Sequence, residues 1–542
     1  MSNFDLPIIS ASAKPEFTTA LGCADWLRTL PLINVGPTHG RLLGELEELN
    51  CSDVQAAERL KILETLLEPV LFVQSEHAKK FSSRAAPLAK AEREILLNVT
   101  ALWTALGHGY QHCLQSLAGV SSGLLAGSGQ MALACQRALW CASQALLEHY
   151  KCYLDVNASD WKLLHKLYAF AEERNVTRDP VDHPAHKAGD RTSCMDTYVQ
   201  ALLLNVANPN EQTPRQLGVS ARWLDRWGNK VRVQDRPPPP REGSPPSRPL
   251  AVDLAGAAGP IRPGSSQTAS SLRYLDVEDL SNALRKRIAL LRKGDSPASL
   301  DLGDDVAVQF AEQLLLLLHR QWCEGAQPRT QARKSLSGNA EVATGMGALR
   351  YYITGLPFRQ PGIAKELSKT QREEIATFGR VATRDDDEYS RRQGFALESW
   401  RIVDESLSGL RLERLSGPGR FVHAQMIAAR PAAARTYMLG TIRWLAVDAN
   451  YVAKIGVRLI PGIPQGIAIR ATGLNAMNDK YIPALSLSAV PALKSPETLV
   501  LPVGWFKPQR VIDVFSDQSR PLRLTAVLAR GTDFERVSFD PV

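Results

Sequence analysis

The stretch WRIVDESLSGLRL, residues 400–412, decides how the C-terminal third of the chain is read. An apolar run, WRIV, enters it and another, LRL, leaves it, with Asp, Ser and Gly between them. Those residues favour the tight backbone of a turn between two strands. Working outward, FVHAQMIAA, YMLGTIRWLAV and YVAKIGVRLI follow at strand spacing, separated by Gly and Pro. Further runs, YIPALSLSAV, ETLVLPV, QRVIDVF and LRLTAVLA, continue to the end. The pattern predicts an antiparallel β-barrel over 376–472 and a β-rich extension over 473–542.

Upstream the period changes. From Thr38 to about Tyr168 apolar residues recur at three and four, as in Leu60, Leu63, Leu66 and Leu67, and Ser52 with Gln55 fits a capping box. This predicts a helical domain over 1–235. Between 236 and 271 the composition shifts to PPPPREGSPPSRP and then to Gly, Ala and Ser, which predicts an extended interdomain linker. Helices are expected from Val277 to Lys293, stopped by Gly294, and from Asp305 to about Cys323. With a third over Ala364 to Ile375 they form a middle helical domain, 272–375. The fold class is therefore multidomain α + β.

The chain has 542 residues, 44% hydrophobic and 22% charged, which implies several domains with buried cores. The formal net charge of +8 favours anionic partners, whether nucleic acid, acidic lipid or a phosphorylated small molecule. Its start, MSNFDLPIIS, has no basic segment followed by an apolar one, and no apolar run is long enough to span a membrane. The eight cysteines form no C-x-x-C pair and read as reduced thiols, so a cytoplasmic location is expected.

Arg380 and Arg384 lie in GRVATR, and about twenty residues later Asp404, Ser406 and Gly409 are spaced as D-x-S-x-x-G. Taken singly, neither half is specific. R-x-x-x-R recurs at Arg174/Arg178, Arg222/Arg226, Arg232/Arg236 and Arg329/Arg333, and the second half also describes an ordinary turn. In this order and among these strands, over roughly 378–470, the chain resembles the PilZ family. The resemblance implies a barrel that binds cyclic di-GMP through Arg380, Arg384, Asp404, Ser406 and Gly409. A guanidinium forks onto phosphate or onto guanine O6 and N7. The Asp404 carboxylate accepts from guanine N1–H or N2–H, Ser406 adds a hydroxyl, and Gly409 permits positive φ and close backbone approach. The run DDDE, Asp385 to Glu388, stands against phosphate beside Arg384, while Arg391 and Arg392 offset it or belong to a solvated strand entry.

Other patterns carry less. His108 and His112, in HGYQH, lack the glutamate of a zincin helix, and His183 and His186, in DHPAH, have no partner visible in sequence. No metal and no cofactor is expected. With no G-x-S-x-G and no phosphate-cradling G-x-x-x-x-G-K-[ST], nothing argues for an enzyme. GMGAL around Gly345 reads as a turn before a strand, LRYYI. A rival function comes from TPRQLGVSARWLDRW, 213–227, where QLGVS followed by an arginine-bearing segment has the look of a helix-turn-helix. Its first helix is not clearly written, so DNA binding is expected to be at most weak, and a short helical hairpin is the plainer reading. A degenerate PilZ scaffold that binds only proteins is a third reading, against which the motif pair argues. The expected partners are cyclic di-GMP and a downstream protein reached through the helical domains.

Overall fold

A computed structural model describes residues 4–119, 128–186, 189–239, 249–262, 269–324, 334–361, 384–472 and 479–542. The chain divides into two compact units: the first holds residues 1–84 and 88–328, the second 85–87 and 329–542.

The first unit is built on α1 (Ala20–Arg28), α2 (Val35–Asn50), α3 (Ala56–Ala78), α4 (Lys90–Gly119), α5 (Ser128–Lys151), α6 (Ala158–Glu173), α7 (Cys194–Val206) and α8 (Pro214–Trp227). The three-and-four spacing places Leu60, Leu63, Leu66, Leu67 and Val70 of α3 in the core. Buried charge in this unit is paired across helices α3, α4 and α5. Arg137 of α5 forks onto Glu64 of α3 at 3.0 and 2.9 Å, and the Tyr110 hydroxyl donates to the same carboxylate at 2.7 Å. The capping box expected at Ser52 and Gln55 does not form. Ser52 donates instead to Leu49 O, and Arg59 donates to Leu49 O and Ser52 O, so a buried guanidinium closes this end of the helices.

Short strands join them. β1 (Val181–Asp182) pairs with β2 (Arg191–Thr192), and β3 (Arg232–Gln234), β4 (Leu250–Asp253) and β5 (Leu272–Asp276) form a sheet in the order β3-β5-β4. Leu250–Asp253 lies inside the stretch read as a linker. Its LAVD run buries Leu250, Ala251 and Val252, so the proline- and glycine-rich composition around it hides one true strand. Helices α9 (Glu278–Lys293) and α10 (Val308–His319) follow. Gly294 stops α9 in the left-handed conformation, as its position implies. Trp322 donates to Leu203 O and Trp223 to Leu302 O, which ties this part of the chain to α7 and α8 within one unit. The expected helix over Ala364 to Ile375 lies outside the described residues.

The second unit holds two closed six-stranded barrels. The first contains β6 (Lys334–Thr344), β7 (Leu397–Ser406), β8 (Gly409–Ser416), β9 (Met426–Pro431), β10 (Met438–Val447) and β11 (Ala453–Leu459), in the order β10-β11-β8-β7-β6-β9. Trp400, Ile402, Leu412, Ile442, Leu445 and Ile455 are buried in it. LRYYI is not a strand: Met346–Thr354 is a helix, α11, bounded by Gly345 and Gly355 at positive φ, and the strand precedes it. A second helix, α12 (Arg384–Gln393), leads into β7. The expected extension is itself a closed barrel, β12 (Pro464–Ala471), β13 (Ile482–Leu487), β14 (Thr498–Leu501), β15 (Val511–Phe515), β16 (Ser519–Arg530) and β17 (Glu535–Pro541). β12, expected to end the first barrel, opens the second, because Ile467 and Ile469 pair with β13 and β15 and bury their side chains among strands of that barrel.

Candidate ligand-binding site

The site follows from one irregularity in a hairpin. β7 and β8 are joined by a two-residue turn between Ser406 and Gly409, with Leu407 at its tip 95% exposed. Ile402 pairs with Leu412 and both point inward. Strict alternation would send Asp404 inward as well. A bulge between Ile402 and Asp404 inserts one residue, so that Asp404 pairs with Arg411 and shares its face. Ser406, two residues on, stands on that face too. The bulge therefore turns the D-x-S pair toward the outside of the barrel, next to a guanidinium.

The Asp404 carboxylate lies 3.9 Å from Arg411 Nη1, with the arginine side chain 45% exposed and the aspartate 16%. The pair is loose, with the arginine half exposed and the carboxylate mostly buried. Ser406 Oγ donates to Gly409 O at 3.4 Å. The Arg411 guanidinium also sits 5.8 Å from the Trp444 ring, and that indole lies across Gly456, where a Cβ would stand 1.8 Å from its Nε1. Asp404, Ser406, Arg411 and Trp444 thus follow one another across neighbouring strands.

Gly409 is needed for a different reason from the one its motif suggests. Its φ is not positive; instead a Cβ there would meet Val457 O of β11 at 2.7 Å, so the close approach is to the barrel's own backbone. Arg380 lies outside the described residues, and Arg384 opens α12 with its side chain, like those of Asp385 to Glu388, undescribed. The structure accordingly brings Asp404, Ser406 and Gly409 together and says nothing of the two arginines beside them. Arg411 and Trp444 were not singled out in the sequence; their signal is the cross-strand register, which becomes visible only once the bulge is known.

The chain is similar to the cyclic-di-GMP receptor FimW. A family model described as the N-terminal domain of that receptor matches residues 21–239, and a model described as the FimW C-terminal β-barrel domain matches 467–542. The receptor from Pseudomonas aeruginosa strain PAO1 is 24% identical over 562 residues, covering 95% of this chain and 90% of its own. The first match falls within the helical unit and the second on the β12–β17 barrel. The barrel that carries the candidate site lies between the two matched stretches.

The rival nucleic-acid reading fares worse. QLGVS is no turn: Pro214–Trp227 is one continuous helix, begun by a capping box between Thr213 and Gln216. Its arginines are engaged within the unit, Arg222 with the Asp305 carboxylate, Arg215 with Asp305 O and Arg226 with Asp301 O. A recognition helix needs those groups facing a groove. Among the described residues no helix is long and apolar enough to cross a membrane. His108 and His112 sit on α4, where burial pushes the His112 imidazole down to about 4 and keeps it neutral.

Proposed function

We propose that this chain is a cyclic di-GMP receptor of bacterial second-messenger signalling, binding its ligand on the outer face of the β7–β8 hairpin in the manner of a PilZ barrel. The observation that carries the reading is the bulge at Ile402/Asp404, which sets a carboxylate and a hydroxyl side by side and outward beside an arginine and a tryptophan. The similarity to FimW at both ends of the chain supports it.

Asp404 accepts from guanine N1–H and N2–H, a donor pair that adenine does not present on that edge, and Ser406 adds a hydroxyl contact. Arg411, released from Asp404, and the indole of Trp444 offer a cation and a flat face to a phosphate and a base. Arg380 and Arg384 supply the remaining guanidiniums, and Gly409 keeps the turn tight against β11. The receptor acts by rearrangement of its parts and not by chemistry, passing the signal to a downstream protein through the helical unit. It works in the reducing cytoplasm, in keeping with eight free cysteines. Isothermal titration of the full chain with cyclic di-GMP tests this: saturable binding that Asp404→Ala weakens at least roughly ten-fold is expected. A folded sample with no detectable binding at high micromolar ligand overturns it.

A further inference from the structure

His183 and His186 follow β1 in the loop to β2, and neither has a ligand partner in the local sequence. The fold supplies one from 42 positions away: Asp225 on α8. His183 Nε2 lies 2.9 Å from Asp225 Oδ1, and His186 Nε2 lies 2.6 Å from Oδ2. The two rings stack with centroids 3.7 Å apart, so both aim the same nitrogen at one carboxylate. One ligand atom from each of the three residues lies within 4.8 Å of the others, and this is the one such cluster among the described residues.

The geometry points to a binding site for a divalent transition-metal ion of the zinc type at His183, His186 and Asp225. Two imidazoles and a carboxylate are a donor set suited to zinc and its neighbours, and ions of this kind lie about 2.0–2.2 Å from such atoms. Ligand atoms around a tetrahedral centre are then roughly 3.3–3.5 Å apart. The observed spacing of 2.6 and 2.9 Å is that of hydrogen bonds, and the two rings, now stacked 17° from parallel, swing apart so that both Nε2 lone pairs converge on the ion. Asp190 Oδ2, 3.5 Å from His186 Nδ1, is placed to orient that ring, the usual arrangement behind a metal-bound histidine.

His183 shows what coordination requires. Its Nδ1 now accepts from Ala185 N–H at 3.2 Å, so the ring proton is on Nε2 and is donated to Asp225. When Nε2 binds the ion, that proton passes to Nδ1, and the Ala185 N–H must turn to water. Ala185 is exposed, so the exchange leaves no buried donor unpaired. Three protein ligands leave a fourth position open, and a cavity of about 280 Å³ bordered by His183, Asp225, Gln200, Ser143 and Gln144 gives room for a water there. The ion would fasten the β1–β2 loop to α8.

The test uses the full chain, stripped with a chelator and titrated with Zn²⁺ in a calorimeter. One equivalent should bind. His186→Ala and Asp225→Asn should each weaken it at least roughly ten-fold, the order seen when a metal site loses support, while His108→Ala leaves it unchanged. Co²⁺ in place of Zn²⁺ should give a visible spectrum without thiolate charge transfer, which separates this site from the cysteines. His186 lies in an exposed loop position, so its variant should keep the fold, and a melting curve with and without Zn²⁺ should rise for the unaltered chain alone. No saturable binding, a thiolate spectrum, or full affinity in both variants would overturn the assignment.

Discussion

The side that Asp404 and Ser406 face is set by the one residue that the bulge between Ile402 and Asp404 inserts into β7. Asp404→Ala should weaken cyclic di-GMP by about 1.5–3 kcal/mol, the range for hydrogen bonds to a charged group, with Arg226→Ala at a decoy spacing leaving affinity unchanged in the same titration. Gly409→Ala acts differently. A Cβ 2.7 Å from Val457 O forces β8 off β11, so it should lower the barrel's stability by roughly 1–3 kcal/mol in thermal unfolding. Its loss of binding would follow from that and not from a missing contact. His39 of α2 is a residue whose environment no pattern announces. Burial first, then the stacked His77, pushes its imidazole down to about 4 from an ordinary value near 6.5. Between those values the unfolded chain binds the proton and the folded chain does not, so stability is lost as pH falls. Going from about pH 7 to about pH 5 should cost close to 2 kcal/mol at this residue, and His39→Gln should flatten the dependence in denaturant melts.

At the scale of elements, most strands of both barrels were legible from short Val-, Ile- and Leu-rich runs between Gly and Pro turns, although β6, β12 and β17 were not, and the helices from three-and-four spacing. What escaped was decided elsewhere. LRYYI is rich in residues that favour strands, yet Gly345 and Gly355 at positive φ mark the two ends of a helix, and that punctuation outweighs the propensity. KSLSGNAEVAT, 334–344, has weak strand character and still closes the first barrel, because β7 and β9 each offer it an unpaired edge. The helix-turn-helix reading failed on a cap. Thr213 and Gln216 satisfy the first amides of α8 reciprocally, so the helix begins before QLGVS and runs through it. Thr213→Ala should therefore cost about 0.5–2 kcal/mol of stability in denaturant unfolding, an effect that a turn at 216–220 would not produce.

For the molecule as a whole, the two units make the location of the ligand a measurable question. The division falls near residue 328, well after the proline-rich stretch, because α9 and α10 bury their apolar faces with the earlier helices. Composition marks where a chain is extended, whereas the boundary of a compact unit depends on which distant surfaces cover each other, and no local window contains that information. Each unit has a core of its own and should give its own thermal transition in the full chain. A ligand that binds only the folded form of one unit raises that unit's stability by RT ln(1 + [L]/Kd), about 2.7 kcal/mol at a hundred-fold excess over Kd. For a unit of this size each kcal/mol is worth roughly 2–4 °C. Cyclic di-GMP should therefore move one transition by several degrees and leave the other in place. Gly409→Ala, by lowering the transition of the barrel unit in the absence of ligand, identifies which one that is. If the ligand binds at the β7–β8 hairpin, the transition that Gly409→Ala lowers is the one that cyclic di-GMP raises, and Asp404→Ala cuts the rise by about half or more without altering the unliganded melt. A ligand-induced rise confined to the other transition would place the binding site among the helices and remove the hairpin from consideration.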